Sequence, residues 1–202
     1  MSRWIAQKKP GQLVSKKHVM LLLKELIDDA TFWLDIQLIP QEDKEALLSS
    51  VTPIERYWYE YLFPLWINEP DPKKDTWKKE LMAGKFQGND TLLVEKICDA
   101  IESLGGNTFH CYIADLSMAT DLLTSGITNL PLCVQITSIR DTLSESKQQN
   151  WLDTLQHWRI DRGLFVNYNP TVPQIESRIG LEAFRCSDQI SKKCYCKIDI
   201  DR

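Results

Sequence analysis

At 202 residues the chain suits one large domain, or one domain with a helical extension. Apolar residues make up 43% of it and seven are Trp, enough for a sizeable core, which excludes wholesale disorder. A formal charge of −4 and a pI near 5.5 count against a high-affinity, non-specific DNA binder acting alone, while leaving room for a local basic strip or a partner that supplies affinity.

Residues 1–15 are polar, with Lys8, Lys9, Pro10 and Gly11, and read as an extended arm. This opening stretch lacks the apolar segment of a secretory signal, and no run approaches the roughly 18 apolar residues of a membrane span. The expectation is a reduced, cytoplasmic protein without a membrane partner, its six Cys as thiols rather than disulfides. From Ser15, which suits an N-cap, Val19, Leu22, Leu23, Leu26 and Ile27 recur at helical spacing, and Ala30, Trp33 and Leu34 continue the stripe. Pro40 interrupts, and 41–50 reads as a short acidic helix. Thr52-Pro53-Ile54-Glu55 then opens another: Thr as cap, Pro in the first turn, Glu three residues after the cap. The helix that follows, IERYWYEYLFPLWI over 54–67, is strongly aromatic, the mark of a core or protein-interface stripe more than of a base-stacking surface. Asn68 to Lys74 holds two prolines and no apolar residue, and Gly84 with Gly88-Asn89-Asp90 makes a second break beyond a short amphipathic piece at 77–82. These breaks divide a helical N-terminal region, 1–85, from an α/β region, 86–202.

The second half alternates. A helix over 91–104 presents Leu93, Ile97, Ala100, Ile101 and Leu104 on one face and ends at Gly105-Gly106. Residues 108–114 (TFHCYIA) alternate as a strand, and 116–123 read as a weaker one. The apolar run 130–137 has the character of a buried central strand. A helix over 144–158 places Trp151, Leu155 and Trp158 on one face, and 163–168 (GLFVNY) forms another buried strand. Strand–helix–strand needs a crossover, so these last two strands are predicted parallel. From Asn169 onward, Pro170, Pro173 and polar residues suggest a looser tail with one short helix.

Four residues stand at places where chemistry is possible: Glu95 in the helix over 91–104, Asp121, Gln135 in the run Gln135-Ile136-Thr137, and Lys147 near the start of the next helix. With the α-β-β-β-α-β order over 91–170, they resemble the core of the PD-(D/E)XK, or restriction-endonuclease-like, nuclease superfamily, in a degenerate form with Q-x-T in place of (D/E)-x-K. The resemblance implies an α/β fold with a mixed sheet on an αβββαβ core. It also implies a magnesium-dependent DNA nuclease, or a subunit derived from one, in mobile-element or defence biology. Magnesium-dependent phosphodiester cleavage needs hard oxygen ligands at strand ends and benefits from a cation beside the attacked phosphate. In the family, one acid lies on the second core strand, an acid-x-Lys pair on the third, and often a Glu on the first helix. Asp121 matches the first acid, and Gln135 takes the second place with the weaker amide oxygen. Glu95 suits the helix carboxylate. Thr137 stands where the lysine belongs and cannot supply its charge, which Lys147 would provide as a relocated lysine does in some members. On this reading Asp121, Gln135 and Glu95 hold the Mg²⁺, and Lys147 lies near the scissile phosphate.

Each of these residues also has a plainer role. Asp121 suits a strand-end acid, Gln135 a buried amide that must find hydrogen-bond partners, and Glu95 and Lys147 solvated helix positions. Loss of one charge of each sign leaves open a catalytically inactive relative serving assembly or nucleic-acid binding, with the aromatic helix at 54–67 contacting a protein partner or a second copy. Cys186, Cys194 and Cys196 hint at zinc, but their spacing lacks paired CxxC and no His is near, which favours free thiols. Arg185, Lys192, Lys193 and Lys197 form either a solvated face or a modest phosphate-contacting patch.

Overall fold

The computed structural model describes residues 17–83, 91–138 and 141–200; the arm at 1–15 with Ser15, and the break at Gly84 and Gly88-Asn89-Asp90, lie outside the described residues. Helix α1 (Lys17–Leu38) buries Val19, Leu22, Leu23 and Ile36 and ends just before Pro40. In α2 (Gln41–Leu48), Glu42 and Asp43 sit in the first turn, where the helix dipole favours negative charge. The expected capping box opens α3 (Pro53–Tyr57): Glu55 N–H donates to Thr52 Oγ1 at 3.3 Å, and Thr52 N–H donates to Glu55 Oε2 at 2.8 Å. The helix then widens into a π-turn (Trp58–Leu62) before α4 (Phe63–Asn68). Pro64 supplies the reason, because it has no N–H and its ring would crowd the carbonyl four residues back in an α-helix. Instead Phe63 N–H reaches Trp58 O, five residues back, and Trp58, Leu62 and Phe63 all turn inward, fully buried. The aromatic helix thus spends its main apolar residues on the chain's own core, leaving Tyr61 and Ile67 exposed at 37% and 44%. Helix α5 (Lys74–Ala83) closes the N-terminal helices.

The second half runs α6 (Thr91–Ser103), β1 (Asn107–Phe109), α7 (Tyr112–Met118), β2 (Leu122–Ser125), β3 (Leu132–Thr137), α8 (Asp141–His157), β4 (Arg162–Tyr168), α9 (Ile175–Gln189) and β5 (Cys194–Ile200). The five strands lie in order β1-β2-β3-β4-β5, antiparallel across the first two pairs and parallel across the last two. The class is α/β with a mixed sheet, and the parallel pairing expected of 130–137 with 163–168 is present.

Two expectations are corrected. The strand expected over 108–114 stops at Phe109, and its second half becomes α7, which confines the weak strand expected at 116–123 to β2. The backbone amide of Tyr112, at the start of α7, is taken by Glu25 of α1 at 2.6 Å, so a distant side chain supplies the cap that Cys111 does not. The loose tail expected after Asn169 is instead a 15-residue helix and a fifth strand. Pro170 and Pro173 precede α9 rather than break it, and Ile175, Ile179 and Ala183 recur every four residues as its buried face.

Helices cover both faces of the sheet. On one, Leu123, Cys133 and Phe165 share a core with Val19 and Leu22 of α1, Trp58, Phe63, and Trp151, Leu155 and Trp158 of α8. The N-terminal helices therefore pack into the same core as this face. On the other, Leu122, Leu132, Val134, Leu164 and Val166 meet Ile97 and Ile101 of α6 and Ile175, Ile179 and Ala183 of α9. Among the described residues no helix is long and apolar enough to cross a membrane.

Candidate functional site at the ends of the parallel strands

Strand alternation decides which side chains share this site. On β3, Leu132, Val134 and Ile136 belong to the α6–α9 core and Cys133 to the opposite one, so Gln135 and Thr137 share the face of Cys133. Register then carries the row across the sheet: Gln135 pairs with Phe165 and Phe165 with Lys197, while Thr137 pairs with Asn167 and Asn167 with Asp199. Thr137 and Asn167 are buried, and Asn167 Nδ2 donates to Asp199 Oδ1 at 3.1 Å. A polar strip thus lies at the C-terminal ends of three strands whose earlier residues are apolar.

Asp121 immediately precedes β2. Because Leu122 pairs with Val134, Asp121 arrives beside Gln135. Gln135 Nε2 donates to Asp121 Oδ2 at 2.5 Å, and the Ile136 N–H donates to the same oxygen at 2.6 Å. Two of the residues predicted from the sequence are therefore in direct contact, both partly buried. Lys147 lies one helical turn before Trp151 and on the same face of α8. Trp151 packs on Phe165 with ring centroids 5.4 Å apart, and Phe165 is in register with Gln135. Since α8 runs back from the end of β3, Lys147 is placed over the polar end of the sheet, where it is solvent-exposed. Glu95 stands apart from these three. It is exposed on α6, in the helical layer on the other face, and its charge acts on His110 just after β1. Desolvation holds the His110 imidazole below its ordinary pKa, and Glu95 opposes that shift.

Asp121 and Gln135 offer hard oxygens of the type magnesium accepts, and magnesium commonly keeps several waters and uses one or two carboxylates. The residue types fit such an ion. In the arrangement present, however, the amide nitrogen of Gln135 faces Asp121, so its oxygen lies at the far side of the amide. An ion held by both residues requires that amide to be turned end for end. Among the described residues there is no group of three or more His, Cys, Asp or Glu able to hold a metal.

Sequence reasoning passed over Asn167 and Asp199, and weighed Lys197 only as part of a basic tail. Their signal was a polar residue inside GLFVNY and the alternation of Tyr195, Lys197 and Asp199 in CYCKIDI, legible only once β5 is known to continue the sheet. Of the remaining basic residues, Arg185 pairs with Glu182 at 3.2 Å, and Lys192 and Lys193 are exposed between α9 and β5. All six cysteines are free thiols, and burial pushes the Cys186 thiol up to about 11, which makes it a poor metal ligand at neutral pH. Elsewhere, a pocket of about 690 Å³ between α1, α4 and α5 is lined by Leu22, Leu26, Trp66, Trp77 and Leu81, and includes none of Asp121, Gln135 or Lys147. Compared with known proteins, the chain matches no family model, no curated protein and no solved structure.

Proposed function

We propose that the chain is a metal-dependent DNA nuclease, or a subunit derived from one, built on a restriction-endonuclease-like αβββαβ core. The observation that carries this reading is the contact between Asp121, at the start of β2, and Gln135, on β3. The α6-β1-β2-β3-α8-β4 order supports it, with α7 inserted after β1 and α9 and β5 added at the end. So does the placement of Lys147 on the α8 face that covers this end of the sheet. A bound magnesium ion would supply charge for the phosphate oxygens and an acidified water. The chain's own part is to hold it through Asp121 and the turned Gln135 amide, and to bring Lys147 toward a DNA phosphate. With an overall charge of −4, DNA contact falls to local cations such as Lys147 and Lys197. A mobile-element or defence setting follows from the resemblance alone.

A second reading, a catalytically silent subunit serving assembly or nucleic-acid binding, is favoured by one specific observation. Asp121 Oδ2 already accepts two donors, one of them from the backbone of β3, so the residue fastens the start of β2 to its neighbour. The substitution Gln135→Glu separates the two readings. In a metal site it restores the missing carboxylate and should tighten Mg²⁺ or Mn²⁺ binding by at least about tenfold, since ligand charge sets such affinities. As a purely structural change it sets two carboxylates against each other and lowers stability, with no rescue by metal. A titration followed by NMR at residues 121 and 135 in both proteins is the direct measurement. Absence of site-specific shifts in either, up to millimolar metal, would refute the metal reading and leave the second. Asp121→Ala is the harsher control, because it also strands the buried Ile136 N–H at a cost of about 1–3 kcal/mol.

A further inference from the structure

Helix α1 carries more apolar side chains than its core face uses. Val19, Leu22, Leu23 and Ile36 are buried. Met20, Ile27, Leu34 and Leu38, however, stand 43%, 62%, 49% and 80% exposed. With 3.6 residues per turn, these four fall within about 40° of arc, a single stripe running the length of the helix. Their spacings of seven, seven and four are those with which one helix meets another side by side. Single exposed apolar side chains are ordinary; a continuous stripe of them marks a contact surface.

The flanking charges indicate what covers it. Lys17, Lys24, Asp28 and Asp35 line one flank of the stripe, about 40–80° round from Met20. Both cations lie in the N-terminal half and both anions in the C-terminal half. Lys24 and Asp28 touch at 2.7 Å within the chain, but at 75% and 60% exposure that contact is solvated and exchangeable. A second copy related by a two-fold axis across the stripe runs antiparallel and lays the same flank against the same flank. Lys17 then meets Asp35 of the other copy, and Lys24 meets Asp28. The same axis sets Met20 against Leu34 and Ile27 against itself. A parallel pair puts the two charged flanks on opposite sides and makes no such match.

We propose that α1 pairs antiparallel with α1 of a second copy of this chain, across a two-fold axis near Ile27. This surface is separate from the aromatic helix at 54–67, and the proposal does not depend on the nuclease reading. The test is the molar mass of the full chain in solution, by light scattering and sedimentation between about 1 and 200 μM, the range in which modest dimers dissociate. A dimer is expected. Ile27→Asp should be monomeric throughout, with an unchanged circular dichroism spectrum because the side chain is largely exposed. Lys24→Glu and Asp28→Lys should each weaken association at least about tenfold alone, because each sets like charges across the axis. Mixed in equal amounts they should restore it, since the all-acidic pair of positions 24 and 28 on one copy then faces the all-basic pair on the other. A monomeric parent chain at every concentration, or a dimer untouched by Ile27→Asp, overturns the proposal. Two charge variants that stay apart when mixed overturn the antiparallel arrangement.

Discussion

Glu25 offers a sharp test of how α1 is joined to the rest of the molecule. Its Oε1 accepts the Tyr112 N–H at 2.6 Å, tying α1 to the first turn of α7. Burial pushes the Glu25 carboxyl from 4.5 up to about 7; the Tyr112 amide opposes the shift, and the charges of Asp29, Asp115 and Asp28 add to it. At 1.36 kcal/mol per pH unit, that corresponds to about 3 kcal/mol in favour of the protonated folded form. Partial contact with solvent reduces the working figure to about 1–2 kcal/mol. Because the folded pKa lies above the unfolded one, this stability is fully present below pH 4.5 and is lost as pH rises through about 7. Glu25→Gln keeps a carbonyl oxygen for the Tyr112 N–H and removes the buried charge. At pH 8 the variant should therefore be more stable than the parent by about 1–2 kcal/mol, with the advantage vanishing toward pH 4.5. Urea unfolding of both proteins across this range measures the difference directly. Asp29, which burial pushes up to about 6 against the hydrogen bond from Tyr59, is present in both and largely cancels. A variant less stable than the parent at pH 8, or a difference that does not change with pH, would refute the reasoning.

Three further outcomes are expected from packing and hydrogen bonding. Gly163→Ala puts a methyl group 2.4 Å from Leu155 Cδ1 and 2.7 Å from Trp151 Cζ2, so α8 must lift from β4 at a cost of about 1–3 kcal/mol; an unchanged melting temperature would show that the helix yields freely. Thr52→Ala removes one half of the capping box and should cost about 1 kcal/mol in denaturant unfolding, whereas no change would mean that Glu55 alone holds the turn. Arg162→Met strips N–H donors from the carbonyls of Pro131, Ser187 and Ile190 and should cost at least about 3 kcal/mol, seen as a large fall in the unfolding midpoint. A small fall would mean those carbonyls find other partners.

What the sequence disclosed depended on how far each cause lay along the chain. Thr52, Pro53 and Glu55 start their helix by contacts within three residues, and the apolar run ending in Gln135 announces a central strand by composition alone. TFHCYIA misleads because the cap that turns its second half into α7 belongs to Glu25, 87 positions away. The π-turn was equally hidden, since Pro64 reads as a helix breaker until the wider turn is seen to absorb it. At the candidate site, the meeting of Asp121 with Gln135 follows from β2 pairing with β3 and was visible through the family resemblance. Lys197, Asn167 and Asp199 reach the same end only through β5, whose place beside β4 no short-range pattern reveals.

The π-turn also makes the length of its segment as constrained as its composition. Removing any one residue from 58–62 would return the helix to regular pitch and rotate everything after it by about 100°. Phe63 would swing off Trp58 and Trp33, which it meets at centroid distances of 5.8 and 6.3 Å. Trp66 would leave Asp71, whose carboxylate also receives Trp77 at 2.8 Å and Ser117 at 2.6 Å. Tyr61, at the exposed edge, can change freely, but the count of residues around it cannot. One added residue keeps two turns of aromatic side chains in phase, so a single-residue deletion here should disrupt the fold more than most substitutions.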